Sequence, residues 1–242
     1  MTSGGLGVTR VGELVEREKS QVSRSLHVLA EYGLVDRDPE TLDYRIGWRF
    51  FALAGRAGDQ RLLTAAPPIL RALVEQFGER AHLSVLQGAN VLTVLSESPS
   101  RAVEAAGWVG RSVPVYCTSS GRALLFAYDA ADIPAVLRQI RFDGQGPNAP
   151  TSIEELFRRV DAARSRGFAL VDEEFEAGLV AAAAPVRDFR GRVIAAVNVS
   201  APKFRFGERL PAGGEAVKTA ADELSRRLGW VDGDASGSEA PR

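Results

Sequence analysis

The sequence predicts an α+β protein of two unequal domains, on three observations. Apolar residues recur at helical spacing from Val11 to Gly33 and give way at once to two short β-prone runs. From Ala81 the period changes to two. The 242 residues, 45% of them hydrophobic, exceed the usual size of a single domain, so a second and larger core is expected.

Val11, Leu14 and Val15 share one face of a first helix, and Val22, Leu26 and Leu29 recur at i, i+4 and i+7 in a second. "REKS" between them reads as a tight polar connection, Ser20 as the N-cap of the second helix, and Gly33 as its left-handed stop. "LVDRD" and "YRIG" then form strands around "PETLD", whose Pro and Asp favour a turn. Helix, turn, helix and hairpin in that order predict a winged helix-turn-helix over residues 1–47. Such a second helix enters the major groove while the hairpin lies along the backbone. Its polar edge carries Lys19, Ser20, Gln21, Ser23, Arg24, Ser25 and His27, and the hairpin adds Arg37 and Arg45. These nine are the candidate DNA contacts. An edge of this composition is elsewhere commonly just a solvated face. Residues 1–47 hold six basic side chains against eight acidic ones, so the electrostatic footprint is weak and two copies on one operator are expected. A winged helix normally opens with a helix that covers the other two, which "MTSGGLG" is too short and too rich in glycine to supply. The expectation is therefore a reading frame that begins upstream, or a truncated chain, with apolar side chains among Val11, Leu14, Val22, Leu26 and Leu29 left wet.

Two linker helices are expected over residues 48–78, from "GWRFFALAGRAGDQ" and "TAAPPILRALVEQFGE". The second carries Ile69, Leu70, Leu73, Val74 and Phe77 on one face, with Pro67 and Pro68 in its first turn. A third domain segment, residues 79–230, opens with "AHLSVLQ" and "VLTVLSES" around "GAN", an antiparallel hairpin. "GWVGRSVPVYCTSSGRALLFAYD" is extended through Val115 and helical from about Ser119, with Thr118 as N-cap. "SIEELFRRVDAARSRG" begins with a capping box, Ser152 and Glu155, and closes at Gly167. Two strands around "DFRGR" and a helix with Val217, Ala221, Leu224 and Leu228 complete the domain. Residues 231–242, rich in Gly, Ser and Asp, are expected to be disordered.

Several function classes are excluded by composition. A net charge of −1 with 25% charged residues describes an ordinary globular protein. The longest apolar run, Leu179–Val186, is far short of a membrane span, and the first ten residues lack the apolar core of a signal peptide. One cysteine forms no internal disulfide, and a bacterial cytoplasm is the expected compartment. One cysteine and two histidines support no zinc site, and no cofactor is expected. Cys117 at a helix start has the setting of an activated thiol, yet its base is missing: His27 belongs to the proposed DNA helix and His82 to the opening hairpin. No catalytic residue is assigned. Asp172, Glu173, Glu174 and Glu176 read as a solvated loop, and "GQGPNAP" as a plain loop without the lysine of a phosphate-binding turn.

The stretches "GWVGRSVPVYCTSSGRALL" and "GFALVDEEFEAGLVAAAAPVRDFRGRVIAAVNVSAP" resemble the effector-binding domain of the IclR family of bacterial transcription regulators. The resemblance runs over residues 8 to 229, with the winged helix, "TSSGRALL" and "DEEFEAGL" in the family's order. It implies a ligand-responsive, DNA-binding homo-oligomer, a dimer or tetramer. It also implies a GAF-like effector domain in which a curved antiparallel sheet backed by helices binds a small molecule. Residues carried over at matching positions are Ser119, Ser120, Asn198 and Ser200. Members that bind small keto acids commonly have Cys and Asp where this chain has Ala181 and Val171, which implies a less polar pocket and a larger or more hydrophobic ligand.

The residues point to the same pocket. Ile194, Ala196, Asn198 and Ser200 share one face of a strand, so two polar side chains end an apolar face. The helix after Thr118 offers free amides and the hydroxyls of Ser119 and Ser120, with Gly121 beside them, as a place for a carboxylate. Val113, Val115, Leu179 and Ala181 are the expected apolar walls for an apolar or aromatic body. The expected function is thus a regulator that binds a palindromic operator and responds to a small organic acid. The alternative is a ligand-binding or scaffolding protein whose winged helix makes protein contacts.

Overall fold

The computed structural model describes residues 5–54, 59–99, 107–128 and 140–231. Except for Val231, the tail expected to be disordered lies outside them. The chain divides into two compact units, Met1–Gln60 and Arg61–Arg242.

In the smaller unit, α1 (Val8–Val15) and α2 (Lys19–Glu31) precede a hairpin of β1 (Val35–Arg37) and β2 (Tyr44–Ile46), followed by α3 (Arg49–Ala54). A small core of Val22, Leu26 and Tyr44 is joined by Val8, Val11, Ala30 and Val35. Among the apolar side chains expected to be left wet, Leu14 and Leu29 are exposed, at 57% and 37%, while Val22 and Leu26 are buried. Ser20 is not the cap of α2. The amides of Gln21 and Val22 both donate to the Glu18 carbonyl at 3.0 Å, so the first turn closes earlier and Ser20 lies inside the helix. Gly33 does provide the left-handed stop, at φ +66°. The hairpin turn is organised by Asp38, which lies ahead of the quoted "PETLD". Its carboxylate accepts from the amides of Glu40 at 2.9 Å and Thr41 at 3.0 Å, and from Arg45 at 3.0 Å.

The larger unit begins within α4 (Gln60–Phe77) and is built on a six-stranded antiparallel sheet. Its strands are β3 (Arg80–Gln87), β4 (Asn90–Glu97), β5 (Ser112–Pro114), β6 (Ala169–Asp172), β7 (Leu179–Arg187) and β8 (Val193–Pro202), in the order β5-β4-β3-β8-β7-β6. The remaining helices are α5 (Ser119–Leu124), continued by a 3-10 turn at Leu125–Ala127, then α6 (Ile153–Arg166), α7 (Lys203–Phe206) and α8 (Leu210–Arg227). Residues Ala182, Val197 and Val199 enter one core with α4 and α8, while Ala183 and Ala196 enter another with α5 and α6. With both faces covered, β7 and β8 read as small apolar runs instead of alternating with polar residues.

Pro67 and Pro68 lie inside α4, not in its first turn. Each removes an amide donor and usually costs a helix interior about 3 kcal/mol. Here the buried stripe Leu62, Ala66, Ile69, Leu70 and Leu73 runs through them, so packing outweighs the local preference. The linker segment expected over 48–78 is accordingly divided, with α3 in the smaller unit and nearly all of α4 in the core of the larger. In α6 the Ser152 hydroxyl accepts from the Glu155 amide at 3.2 Å, as expected. The Glu155 carboxylate, however, returns to the amide of Thr151, at 3.0 Å, one residue before the cap. Gly167 ends the helix at φ +83°.

Glu174 departs from the solvated loop expected for the acidic cluster. It is buried and forms an ion pair with the equally buried Arg122 of α5 and a second with Arg159 of α6, at 3.0 Å. Arg122 also donates to the Leu170 carbonyl at 2.8 Å. Replacing Glu174 with Ala leaves a buried guanidinium uncompensated and is expected to cost about 3–5 kcal/mol in urea unfolding, whereas Arg122→Met with Glu174→Leu together is expected to cost less than Glu174→Ala alone. A single variant within about 1 kcal/mol of the parent contradicts the structural role given to the pair.

Candidate functional site

The sheet face that meets α5 holds the candidate pocket. Because β3 and β8 pair with His82 opposite Asn198 and Arg80 opposite Ser200, the alternation of side chains places His82, Ser84, Asn198 and Ser200 on one face. Above that face stands the start of α5, where the Thr118 side chain accepts from the Gly121 amide at 3.1 Å. The space between them has a volume of about 60 Å³. Ser119, Ser120, Leu179, Ala181, Asn198 and Ser200, all expected from the sequence, line it together with Val113 and Val171.

Two expected members fall elsewhere. Val115 is fully buried in the neighbouring core and does not line the pocket. Gly121 does not line it either; a Cβ there would stand 2.0 Å from the Val115 carbonyl oxygen, so glycine is needed for strand and helix to approach. The helical segment after Thr118 is also only six residues long, so the dipole expected to draw a carboxylate is small.

The structure adds side chains that sequence reasoning missed, among them His82, Ser84, Thr93, Trp108 and Phe175. His82 is 4% exposed. Its Nε2 lies 3.4 Å from the Ser200 hydroxyl oxygen and its ring centroid 5.5 Å from that of Trp108. Burial, reinforced by the nearby Arg80 charge, pushes its pKa down to about 4, so the ring is neutral at pH 7. Three buried polar atoms of the pocket lack any partner: His82 Nδ1, Ser119 Oγ and Asn198 Oδ1. Buried polar atoms in a folded protein are nearly always satisfied, so three orphans around one cavity make it the candidate binding site. The period-two pattern of "RAHLSV" was the available signal for His82, since it puts that residue on the face of Ser84.

Cys117 also lines this cavity, so His82 is closer to it than the hairpin position implied. Burial nonetheless pushes the thiol up to about 12, and its sulfur lies 3.8 Å from the Pro114 carbonyl. The lowered pKa considered from its helix-start position does not occur, and the thiol has no thiolate to attack with. Among the described residues no cluster of three or more His, Cys, Asp or Glu side chains is arranged for a metal ion, and no helix is long and apolar enough to cross a membrane.

The second candidate surface is the outer edge of α2. Lys19, Ser20, Gln21, Ser23, Arg24, Ser25 and His27 are all exposed, as are Arg37 and Arg45 of the hairpin. Not all are free. Arg45 is paired with Asp38 at 3.0 Å, His27 Nε2 lies 3.5 Å from a Glu31 oxygen, and Arg37 stacks over Tyr44 at 5.6 Å. Gln21, Arg24 and Ser25 share one helical face.

Residues 56–226 match the family described as "Bacterial transcriptional regulator IclR C-terminal". The chain is 32% identical over 228 residues to the HTH-type transcriptional regulator BhcR of Paracoccus denitrificans, covering 92% of this chain and 81% of that protein. It is 29% identical over 229 residues to the HTH-type transcriptional regulator KdgR of Escherichia coli, covering 94% and 87%. Among solved structures, an IclR homolog from Microbacterium hydrocarbonoxydans complexed with 4-hydroxybenzoate superimposes with a TM-score of 0.79 at 25% identity, covering 94% of this chain and 93% of that one. These relatives are named as regulators or their homologs, none as an enzyme.

His82 generates a pH prediction. The folded-state pKa is depressed, so the neutral ring contributes stability that is fully present above the ordinary value of 6.5 and is lost as pH falls toward about 4. Between pH 7 and pH 5 the larger unit is expected to lose roughly 2 kcal/mol from this group. Urea unfolding of the parent and of His82→Asn at both pH values measures it, because the other histidine, His27, is exposed in the smaller unit. Equal pH dependence in the two proteins contradicts the assignment.

Proposed function

Since the chain belongs to the IclR family of bacterial transcriptional regulators, we propose that it is a one-component regulator. A small organic acid bound in the larger unit changes the operator affinity of the smaller one. The observation that carries this reading is the cavity ringed by His82, Ser119 and Asn198 with their unpartnered polar atoms. It lies in the segment that matches the family. Ser119, Ser120, Leu179, Ala181, Asn198 and Ser200 contact the ligand, and Gly121 supports them through its close packing. Trp108 and Phe175 suit an aromatic ring, and the 4-hydroxybenzoate carried by one similar structure is a ligand of that class.

The smaller unit is proposed to act as a winged helix-turn-helix. In that role Gln21, Arg24 and Ser25 approach base edges, while Lys19, Ser20, Ser23, His27 and Arg37 lie near phosphates. Arg45 joins them by exchanging Asp38 for a phosphate. With so few free cations, non-specific affinity is low and the protein binds a palindromic operator as a dimer or tetramer, in a bacterial cytoplasm. Ligand binding changes the placement of the paired heads, and α4, buried in the larger core, is the element through which that coupling starts.

A mobility-shift titration with DNA from upstream of its own gene, with and without 4-hydroxybenzoate, tests the reading. A specific complex whose affinity changes with the acid supports it, and failure to bind any such DNA even at low salt overturns it. Arg24→Ala is expected to cost about 1–3 kcal/mol on the specific site while sparing non-specific binding. Footprinting at parental affinity by that variant removes Arg24 from the base-reading set.

A further inference from the structure

The proposed effector site has two chemically different ends. At the inner end the cavity is lined by His82, Ser119 and Asn198, all at least nine-tenths buried and each carrying a buried polar atom without a partner. Among the described residues no lysine, arginine, aspartate or glutamate lines it. A carboxylate placed there would be stripped of water with no cation opposite, which is strongly unfavourable. Asn198 Oδ1 is an acceptor, so the inner end asks for a donor such as a hydroxyl or amino group.

The outer end differs. A wider hollow of about 550 Å³ shares Trp108, Leu179 and Ser200 with the cavity, and its charged lining is Glu79, Arg80 and Arg205. Glu79 is buried and holds Arg205 through two hydrogen bonds, each of 2.8 Å, so those charges cancel. Arg80 sits opposite Ser200 in the β3–β8 register, so its side chain leaves the sheet on the face of His82 and Ser200. It has no ion-pair partner among the described residues.

We infer that Arg80 holds the carboxylate of the effector at the outer end of the pocket, while a hydroxyl or amino group at the ligand's opposite end is buried against Asn198 and His82. The ligand class is then an aromatic or cyclic acid with a hydrogen-bond donor remote from its carboxylate. This reverses the orientation expected from the sequence, which gave the carboxylate to the start of the Thr118 helix. It rests on the proposal that this cavity is the effector site.

Calorimetry on the full chain with three probes tests the inference: 4-hydroxybenzoate, benzoate, which lacks the donor, and methyl 4-hydroxybenzoate, which lacks the charge. The parent is expected to bind the hydroxy acid about tenfold more tightly than either of the others. Arg80→Ala should weaken both acids about tenfold or more and leave the ester unchanged, with Arg80→Lys restoring part of the loss. Asn198→Ala should abolish the advantage of the hydroxy acid over benzoate. Parental affinity for the hydroxy acid in Arg80→Ala overturns the assignment, as does benzoate binding as tightly as the hydroxy acid, or none of the three binding the parent. The regulatory reading fails separately. If the acid binds as expected and operator affinity does not respond, that reading falls and the Arg80 assignment stands. If operator affinity responds equally in Arg80→Ala, the reverse holds.

Discussion

The buried ion pair between Arg122 and Glu174 is the constraint on which the larger unit's pocket depends. Arg122 lies on α5 three residues after Ser119, and Glu174 immediately precedes Phe175, so the pair fastens one wall of the cavity to another. Arg159 of α6 reaches the same carboxylate, so three chain segments meet at one charged centre, and the Gly146 amide ties a fourth beside it by donating to the Glu174 backbone carbonyl at 2.9 Å. Two charges withdrawn from water gain little net stability from meeting each other, but removing either leaves the other buried and unpaired. A wall fixed in this way can hold orphaned polar atoms open toward a ligand without their collapsing onto one another.

Around that centre the sheet has to satisfy helices on both faces. The small side chains of β7, Ala181 to Ala184, let α5 and the α4–α8 layer approach, and Gly121 lets the helix start lie against the Val115 carbonyl. Polar side chains interrupt the apolar lining where His82, Ser84, Asn198 and Ser200 line up across β3 and β8, with Thr93 of β4 beside them.

The smaller unit is held by far less. Its buried apolar core consists of Val22, Leu26 and Tyr44, and its hairpin owes its shape to Asp38. Two side chains with apparent value for binding phosphate, Arg37 and Arg45, already have local partners.

Local rules read much of this fold correctly from the sequence. Helical spacing placed α1 and α2, alternation placed β3 and β4, Thr118 and Ser152 were recognisable as caps, and Gly33 and Gly167 as left-handed stops, because each depends on residues within a turn of one another. The polar pair Asn198 and Ser200 was visible for the same reason, as a break in one strand's alternation. What tertiary structure alone decided depends on partners distant in the chain. Glu174 became buried because Arg122 lies opposite it, against a local pattern that reads as a solvated loop. Pro67 and Pro68 stayed inside a helix because a continuous apolar stripe outweighed their missing amides. His82 became a neutral pocket residue because the assembled sheet and helices bury it, with β8 bringing Ser200 beside it from 118 positions away. Burial sets the charge state and the partner of a polar group, and burial is a property of the assembled sheet and helices that no single stretch of sequence contains.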